Sequence, residues 1–386
     1  MIDPKNILSD GVFCPMPWTG LMYNFDGTVR NCIRGASKEP IGNIQSTNIH
    51  DILLGGINTT RQQNILNGNP IPSCQGCYDL EQGKKSFDII SDRIFYIREL
   101  KKIPLETYRQ GHHQLHAIDV RWSNLCNFSC VYCSPEYSSR WGEELGIKIA
   151  TPDEQKRNHF QDYILSHAKQ LKHVYLAGGE PLLMKQNLEL LEVLRKQNPQ
   201  VNLRINTNLS KVDTRIFESV CEFPNVHWTV SVETMGSEFE YIRYGGQWMD
   251  FEENLAAITE LSHKVSFNML YFLLNYRSLF DCVDYFRSRG HHPNSFIIGA
   301  LLTPELLDIR HLPQDEIKQI KCLVSDRLDH SPGYLLEDSY RNILNYIDKP
   351  LEKNPKMSLR FLQDLDERRG LNSRQIFADL YRILEG

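Results

Sequence analysis

The sequence predicts an α/β fold: a partial (β/α)6 barrel, a small α+β module before it and a helical extension after it. Three observations carry this expectation. From residue 115 to about 305, short β-rich runs alternate with amphipathic helical stretches, and repeated strand–helix units argue for a parallel sheet. Before residue 100 lies a hairpin signal with its own cysteine pattern, and beyond residue 313 only helical periodicity remains. The domains are therefore expected at residues 1–100, 112–310 and 311–386.

Each element has a local reason. In the first module, Leu21–Phe25 and Thr28–Cys32 flank Asp26-Gly27, and an Asp-Gly between two alternating runs signals a hairpin. Helix-like stretches follow at Asn48–Leu54 and Thr60–Asn67; Gly68-Asn69-Pro70 breaks the pattern before Cys74 and Cys77. Residues 86–100 again read as helical. The six expected strands are 116–123, 172–177, 202–207, 226–232, 265–272 and 295–302, with helices such as 153–169, 185–197 and 250–262 between them. Six strands are too few for a full eight-stranded barrel. The extension reads as helices at 314–328, 335–347 and 357–384, the last broken near Gly370-Leu371-Asn372.

The strands alternate where buried parallel strands should be continuously apolar. Asp119, Arg121 and Ser123 share one face; so do Arg204, Asn206 and Asn208, then His227, Thr229, Ser231 and Glu233, then Ser266 and Asn268. Ile118, Val120, Ile205, Val230 and Val232 take the opposite faces. If helices cover the apolar side, the polar side lines a lumen, which is costly unless it holds a polar ligand or water. A one-faced antiparallel sheet wetted on its polar side is the alternative. Asp119, Tyr175 and Glu233 are lumen candidates for acid–base work; no catalytic residue is identifiable.

Composition narrows the function classes. The 386 residues are 41% hydrophobic and 24% charged, with a net charge of −5. Nothing basic enough for nucleic acid stands out, no apolar run is long enough to span a membrane, and Met1-Ile2-Asp3-Pro4 does not open a signal peptide. A cytoplasmic location is expected. In a reducing compartment the ten cysteines are poor disulfide candidates. Cys221, Cys282 and Cys322 read as buried hydrophobes; the other seven fall in motifs.

Cys126-Asn127-Phe128-Ser129-Cys130-Val131-Tyr132-Cys133 is a C-x3-C-x2-C run directly after the first expected barrel strand. A structural zinc site wants four ligands, and here three cysteines stand together. Histidines 112, 113 and 116 precede the strand. Three thiolates with one open position suit a [4Fe–4S] cluster that binds a ligand. Upstream, Cys14 and Cys32 bracket the hairpin around Gly27, and Cys74-x2-Cys77 adds a pair. Four soft ligands make a closed site, for which spacing alone suggests structural zinc. Leu176-Ala177-Gly178-Gly179-Glu180-Pro181-Leu182 follows the second strand; paired glycines allow close backbone approach, and a carboxylate beside them can accept from an ammonium.

With these motifs the chain resembles the radical S-adenosylmethionine (radical SAM) superfamily, whose hallmark is C-x3-C-x2-C with an aromatic, here Tyr132, before the third cysteine. The resemblance covers residues 12–305 and implies a TIM-like partial barrel. It implies that Cys126, Cys130 and Cys133 bind a [4Fe–4S] cluster and that Gly178, Gly179 and Glu180 bind the amino group of S-adenosylmethionine. Asn208, in Asn206-Thr207-Asn208, and Ser231 become polar contacts of the cofactor, and Arg243 its carboxylate grip. Many relatives carry Ser-x-Asp-Gly where this chain has Ser231-Val232-Glu233-Thr234, so Glu233 and Thr234 depart from the pattern. The first module resembles the twitch or SPASM auxiliary-cluster domains through Cys14, Gly27, Cys32, Ile41-Gly42-Asn43-Ile44, Cys74 and Cys77. That resemblance favours a second, fully ligated auxiliary [4Fe–4S] cluster over zinc, although such domains more often follow the barrel.

The implied chemistry is reductive cleavage of S-adenosylmethionine to a 5′-deoxyadenosyl radical that abstracts hydrogen from a substrate, an oxidoreductase-type reaction fed by a donor such as flavodoxin or ferredoxin. The polar lumen favours a sugar, nucleoside or other small polar metabolite. A peptide-modifying enzyme is the alternative, and a non-enzymatic zinc or iron–sulfur binding protein the second.

Overall fold

The structure, a computed structural model, describes residues 11–32, 39–81, 91–100, 108, 110–111, 113–330, 333 and 335–385. The expected helix at 86–100 lies outside the described residues as far as 90. The chain divides into two compact units, residues 1–124, 148–205 and 215–226 in the first, and 125–147, 206–214 and 227–386 in the second. The fold is α/β with a mostly parallel sheet.

In chain order, α1 (Met16–Thr19) leads into β1 (Gly20–Tyr23), β2 (Thr28–Arg30) and β3 (Gly42–Asn43). Next come α2 (Ile49–Leu54), α3 (Gly56–Leu66), α4 (Gln75–Glu81), α5 (Asp92–Glu99) and β4 (Ala117–Val120). Then follow α6 (Ser139–Leu145), α7 (Glu154–Ser166), β5 (His173–Leu176), α8 (Lys185–Gln197), β6 (Asn202–Thr207) and α9 (Arg215–Cys221). The chain goes on through β7 (Val226–Ser231), α10 (Gly236–Ile242), α11 (Trp248–Thr259), β8 (Lys264–Tyr271), α12 (Ser278–Ser288) and β9 (Phe296–Ala300). It ends in α13 (Gln314–Asp329), α14 (Leu335–Ile347), α15 (Pro355–Arg369), α16 (Ser373–Ile376) and α17 (Ala378–Glu385). Each of the six strands expected between 116 and 302 is present. No helix among the described residues is long and apolar enough to cross a membrane.

In the first unit the strand order is β3-β2-β1-β4-β5-β6. The hairpin turns at Gly27, which has φ +85°, and its Asp26 carboxylate accepts from Thr28 N at 2.9 Å, as turn aspartates do. Sequence reading set this hairpin apart from the strand–helix repeat. The structure instead joins it to the sheet: β1 pairs in parallel with β4, Met22 opposite Asp119. A parallel pairing between strands some hundred residues apart leaves no local signal in either strand. The register then runs Arg30–Met22–Asp119–Tyr175–Arg204 across five strands, so these side chains share one face. The other face packs helices: Tyr23 stacks on Phe160 of α7 with centroids 4.4 Å apart. Side-chain caps start the helices here, Asn48 for α2, Ser91 for α5 and Asp153 for α7.

In the second unit β7, β8 and β9 are parallel. Phe267 of β8 stacks on Phe286 of α12 (4.4 Å) and on Phe296 of β9 (5.2 Å). Ser339 of α14 accepts from Ile298 N in β9 at 3.0 Å. The C-terminal helix breaks at Gly370, which caps α15 at φ +64°, where Gly370-Leu371-Asn372 predicted an interruption.

Candidate functional site

The cysteine run begins six residues beyond the end of β4 and belongs to the second unit. It is an irregular loop whose backbone N–H groups are tied largely to the neighbouring segment at 242–244. Ser129 N donates to Tyr244 O (2.9 Å), Val131 N to Ile242 O (2.8 Å) and Cys133 N to Cys130 O (2.9 Å). The loop after it supplies further ties. Ser138, the N-cap of α6, donates through Oγ to Phe128 O at 2.6 Å, and Trp141 Nε1 donates to Cys130 O at 2.7 Å. Arg140 donates to Asn127 O at 2.8 Å. Gly245 lets the two segments meet: it has φ +107°, and a Cβ there would stand 2.8 Å from Asn127 O. Any other residue would force them apart.

Two of the three sulfurs face N–H donors. Arg243 Nη1 lies 3.9 Å from Cys130 Sγ, and Asn208 Nδ2 lies 3.9 Å from Cys126 Sγ. Cys133 Sγ is 3.8 Å from Ser134 O. Burial pushes the Cys130 thiol up, and the cations Arg243 and Arg369 pull it back. Burial, helped by Cys130, pushes Cys133 to about 12. Among the described residues no three His, Cys, Asp or Glu side chains stand gathered at metal-binding distances. The donor chemistry nevertheless fits an iron–sulfur group, because such clusters take Cys thiolates and are tuned by hydrogen bonds to sulfur.

Asn208 is fixed by its neighbours. Its Nδ2 donates to Asn127 Oδ1 at 3.1 Å, and its Oδ1 accepts from Ser210 N at 2.9 Å. Between them Leu209 takes φ +55° while fully buried, a conformation that costs a side-chain-bearing residue about 1–2 kcal/mol. Ser231 closes β7 in register with Asn268.

Arg243 is paired within the protein. Expected as a grip for the cofactor carboxylate, it turns inward, 3% exposed. Its Nε and Nη2 donate to the two oxygens of Glu233 at 2.7 and 2.8 Å. Glu233 is 1% exposed and also accepts from the Tyr132 hydroxyl at 2.9 Å. Asn275 Nδ2 donates to the Glu233 carbonyl at 3.0 Å. The physical reason is charge: a carboxylate this deep must be paired, and a bidentate guanidinium is the strongest partner available. Burial would lower the Arg243 pKa, but Glu233 beside it raises it further still. Burial drives the Tyr132 phenol well up.

The remaining candidates lie in the first unit. Gly178 has φ +121°, and a Cβ there would meet Ser123 O at 2.9 Å, so the turn after β5 accepts only glycine. Glu180 is fully buried and caps the 3-10 turn after it, accepting from Leu182 N at 3.1 Å. Asp119 is held bidentately by Arg121, both contacts at 3.2 Å. Burial pushes its carboxyl up nevertheless. Arg204 lies over the Tyr175 ring at 5.6 Å.

The four upstream cysteines all lie in the first unit, near one another but not gathered at metal-binding distances. Cys14 is buried among Trp18, Ile65, Ile71 and Tyr108. Burial pushes its thiol well up, and Cys74, Cys32 and Cys77 push it further. Cys14, Cys32 and Cys74 line a cavity of about 20 Å³ beside Asn31, Arg61 and Ile65. Arg93 fastens the module. It is 2% exposed, donates through Nε to both Glu81 oxygens at 3.0 Å and through Nη1 to Phe13 O at 2.8 Å.

Sequence reading missed the support of the cysteine loop. Arg369, at the end of α15, donates to both oxygens of Glu144 at 3.1–3.2 Å. It also lies over the rings of Trp141 (4.6 Å) and Tyr244 (4.5 Å). Glu144 in turn accepts from Ser129 Oγ at 3.2 Å.

Residues 120–286 of the chain match the Radical SAM superfamily family model. Among solved structures it is similar to native anSMEcpe with bound AdoMet, at 17% identity and a TM-score of 0.41, covering 56% of this chain and 61% of that one. It is also similar to Streptococcus suis SuiB bound to S-adenosylmethionine, at 14% identity and a TM-score of 0.42, covering 80% and 68%. The chain thus spans less than two thirds of the length of the first of these. No curated protein matches it.

Proposed function

We propose that this chain is a radical SAM enzyme built on a partial (β/α)6 barrel, acting on a small polar substrate. The observation that carries the reading is the Cys126–Cys133 loop. Three soft donors on one pinned loop, with N–H groups aimed at two of their sulfurs, suit a cluster held through three of its irons. When bound, that cluster and S-adenosylmethionine supply a one-electron cleavage yielding methionine and a 5′-deoxyadenosyl radical that takes hydrogen from substrate.

The chain's own groups have the following parts. Cys126, Cys130 and Cys133 hold the cluster. Gly178 and Gly179 let backbone approach the cofactor, Glu180 accepts from its ammonium, and Asn208 and Ser231 contact it through polar groups. Tyr132 keeps the ligand loop in place through Glu233. The polar rung Asp119–Tyr175–Arg204 receives the substrate. Burial pushes the Asp119 carboxyl up against the pull of Arg121, which holds it bidentately.

Cys14, Cys32, Cys74 and Cys77 hold a second, fully ligated cluster in a twitch-like module, supported by the mutual influence of the four thiols. Zinc is the competing occupant, because four soft ligands also suit a closed structural zinc site.

The test is anaerobic reconstitution followed by dithionite and S-adenosylmethionine. Wild type is expected to form 5′-deoxyadenosine, and the Cys126→Ala/Cys130→Ala/Cys133→Ala variant none. Equal product from both would refute the reading.

A further inference from the structure

We infer that Arg243 and Glu233 form a buried charge pair that sets the reduction potential of the centre held by Cys126, Cys130 and Cys133, with Arg243 positioned on Cys130. This rests on reading those cysteines as cluster ligands.

The guanidinium is committed on every side. Nε and Nη2 bind Glu233 at 2.7 and 2.8 Å, and Nη1 faces Cys130 Sγ at 3.9 Å. The backbone that carries Arg243 is tied to the ligand loop. The carbonyls of the residues on either side of it, Ile242 and Tyr244, accept from Val131 N and Ser129 N. Glu233 is equally fixed, by the Tyr132 hydroxyl at 2.9 Å and by Asn275 at its carbonyl. Tyr132 itself lies between Cys130 and Cys133 in the chain. One closed network therefore links a buried cation, a buried anion and two of the three ligand positions.

The length of the side chain at 233 matters. Glutamate reaches both Arg243 and Tyr132 with one carboxylate, and an aspartate would be one methylene short. That explains in this structure why the residue after Val232 departs from the Asp of many relatives.

The sign follows from geometry. Reduction adds one negative charge to the centre. The pair points its positive end at Cys130, so it favours the reduced form, and Glu233 behind it partly cancels that effect. Removing Glu233's charge alone must raise the potential. Removing both charges must lower it below wild type.

The experiment is a redox titration followed by electron paramagnetic resonance, on reconstituted full-length protein without S-adenosylmethionine. The wave absent from the Cys126→Ala/Cys130→Ala/Cys133→Ala variant is the one to read. If that variant loses neither wave nor iron, the ligand reading fails, which is a different failure from that of the pair. Glu233→Gln is expected to shift the wave to more positive potential with iron content unchanged. If Glu233→Gln does not fold, Glu233→Gln/Arg243→Gln leaves no lone buried charge and is expected to shift it to more negative potential. A wave that stays in place, or moves the opposite way, in fully iron-loaded protein overturns the inference. So does Arg243→Lys weakening S-adenosylmethionine binding tenfold or more with an unmoved wave, which would restore Arg243 to the cofactor carboxylate.

Discussion

At the residue scale the centre depends on groups that do two things at once. Glu180 is the clearest case. Its buried carboxylate caps the turn after β5, and it is also the proposed acceptor for the cofactor ammonium. The two duties separate by substitution. Glu180→Gln keeps an oxygen for Leu182 N and removes the charge, so it is expected to weaken S-adenosylmethionine binding about tenfold or more, as losing a charge-assisted bond does. Its thermal stability should stay near wild type. Glu180→Ala loses the cap too and should add about 1 kcal/mol of destabilisation. Neither variant should lose iron. Calorimetric titration with S-adenosylmethionine beside thermal melts reads both effects, and equal affinity in wild type and Glu180→Gln would remove Glu180 from the cofactor site. Gly178 is legible for a related reason: its positive φ and the 2.9 Å approach to Ser123 O are what a Gly-Gly pair in a sequence advertises. The pairing of Arg243 was not legible because a sequence shows a charge without its partner. Glu233 stands only ten positions away and departs from its expected type, which was the available clue.

Elements carry the next level of support. The cysteine loop has no regular structure of its own, so its shape comes from what packs on it. α6 contributes Ser138 and Trp141, the segment 242–245 between α10 and α11 contributes backbone, and α15 contributes Arg369. The extension beyond residue 313 was visible as helices from periodicity alone, and its break at Gly370 was visible too. Its attachment was not, because Arg369 and Glu144 lie 225 positions apart and a charged residue on a helix usually reads as solvated. With a side chain 2% exposed, Arg369 is instead part of the core. Arg369→Ala leaves Glu144 with weaker partners in a largely buried place. It is expected to cost about 3 kcal/mol in urea unfolding of the apo protein. It should also speed iron loss from the reconstituted protein to a chelator. Arg369→Lys, which keeps charge but cannot bridge both oxygens, should fall between. Unchanged iron retention in Arg369→Ala would mean that α15 does not hold the ligand loop.

Across the whole molecule, local pattern and long-range pairing divide what a sequence reader can see. The strand–helix alternation from 117 to 300 was legible because period and turn chemistry are local properties. The joining of β1 to β4 was not, and it changes how the four-cysteine module is understood. Cys32 follows β2, and β2 is hydrogen-bonded to β1, which pairs with β4. The module therefore grows from the edge of the sheet that carries Asp119. A metal held there, as proposed, would staple that edge whatever its redox role, and its identity would decide which of two machines the chain is. Two [4Fe–4S] clusters require about eight irons per chain, and one cluster with a structural zinc requires about four irons and one zinc. We expect about eight irons and no zinc in protein reconstituted with iron and sulfide. The Cys14→Ser/Cys32→Ser variant should fall to about four irons while still making 5′-deoxyadenosine at a reduced rate. Metal analysis of the pair settles the point. Four irons with one zinc in wild type would make the module a structural clasp. Eight irons surviving in the double variant would remove Cys14 and Cys32 from the ligand set altogether.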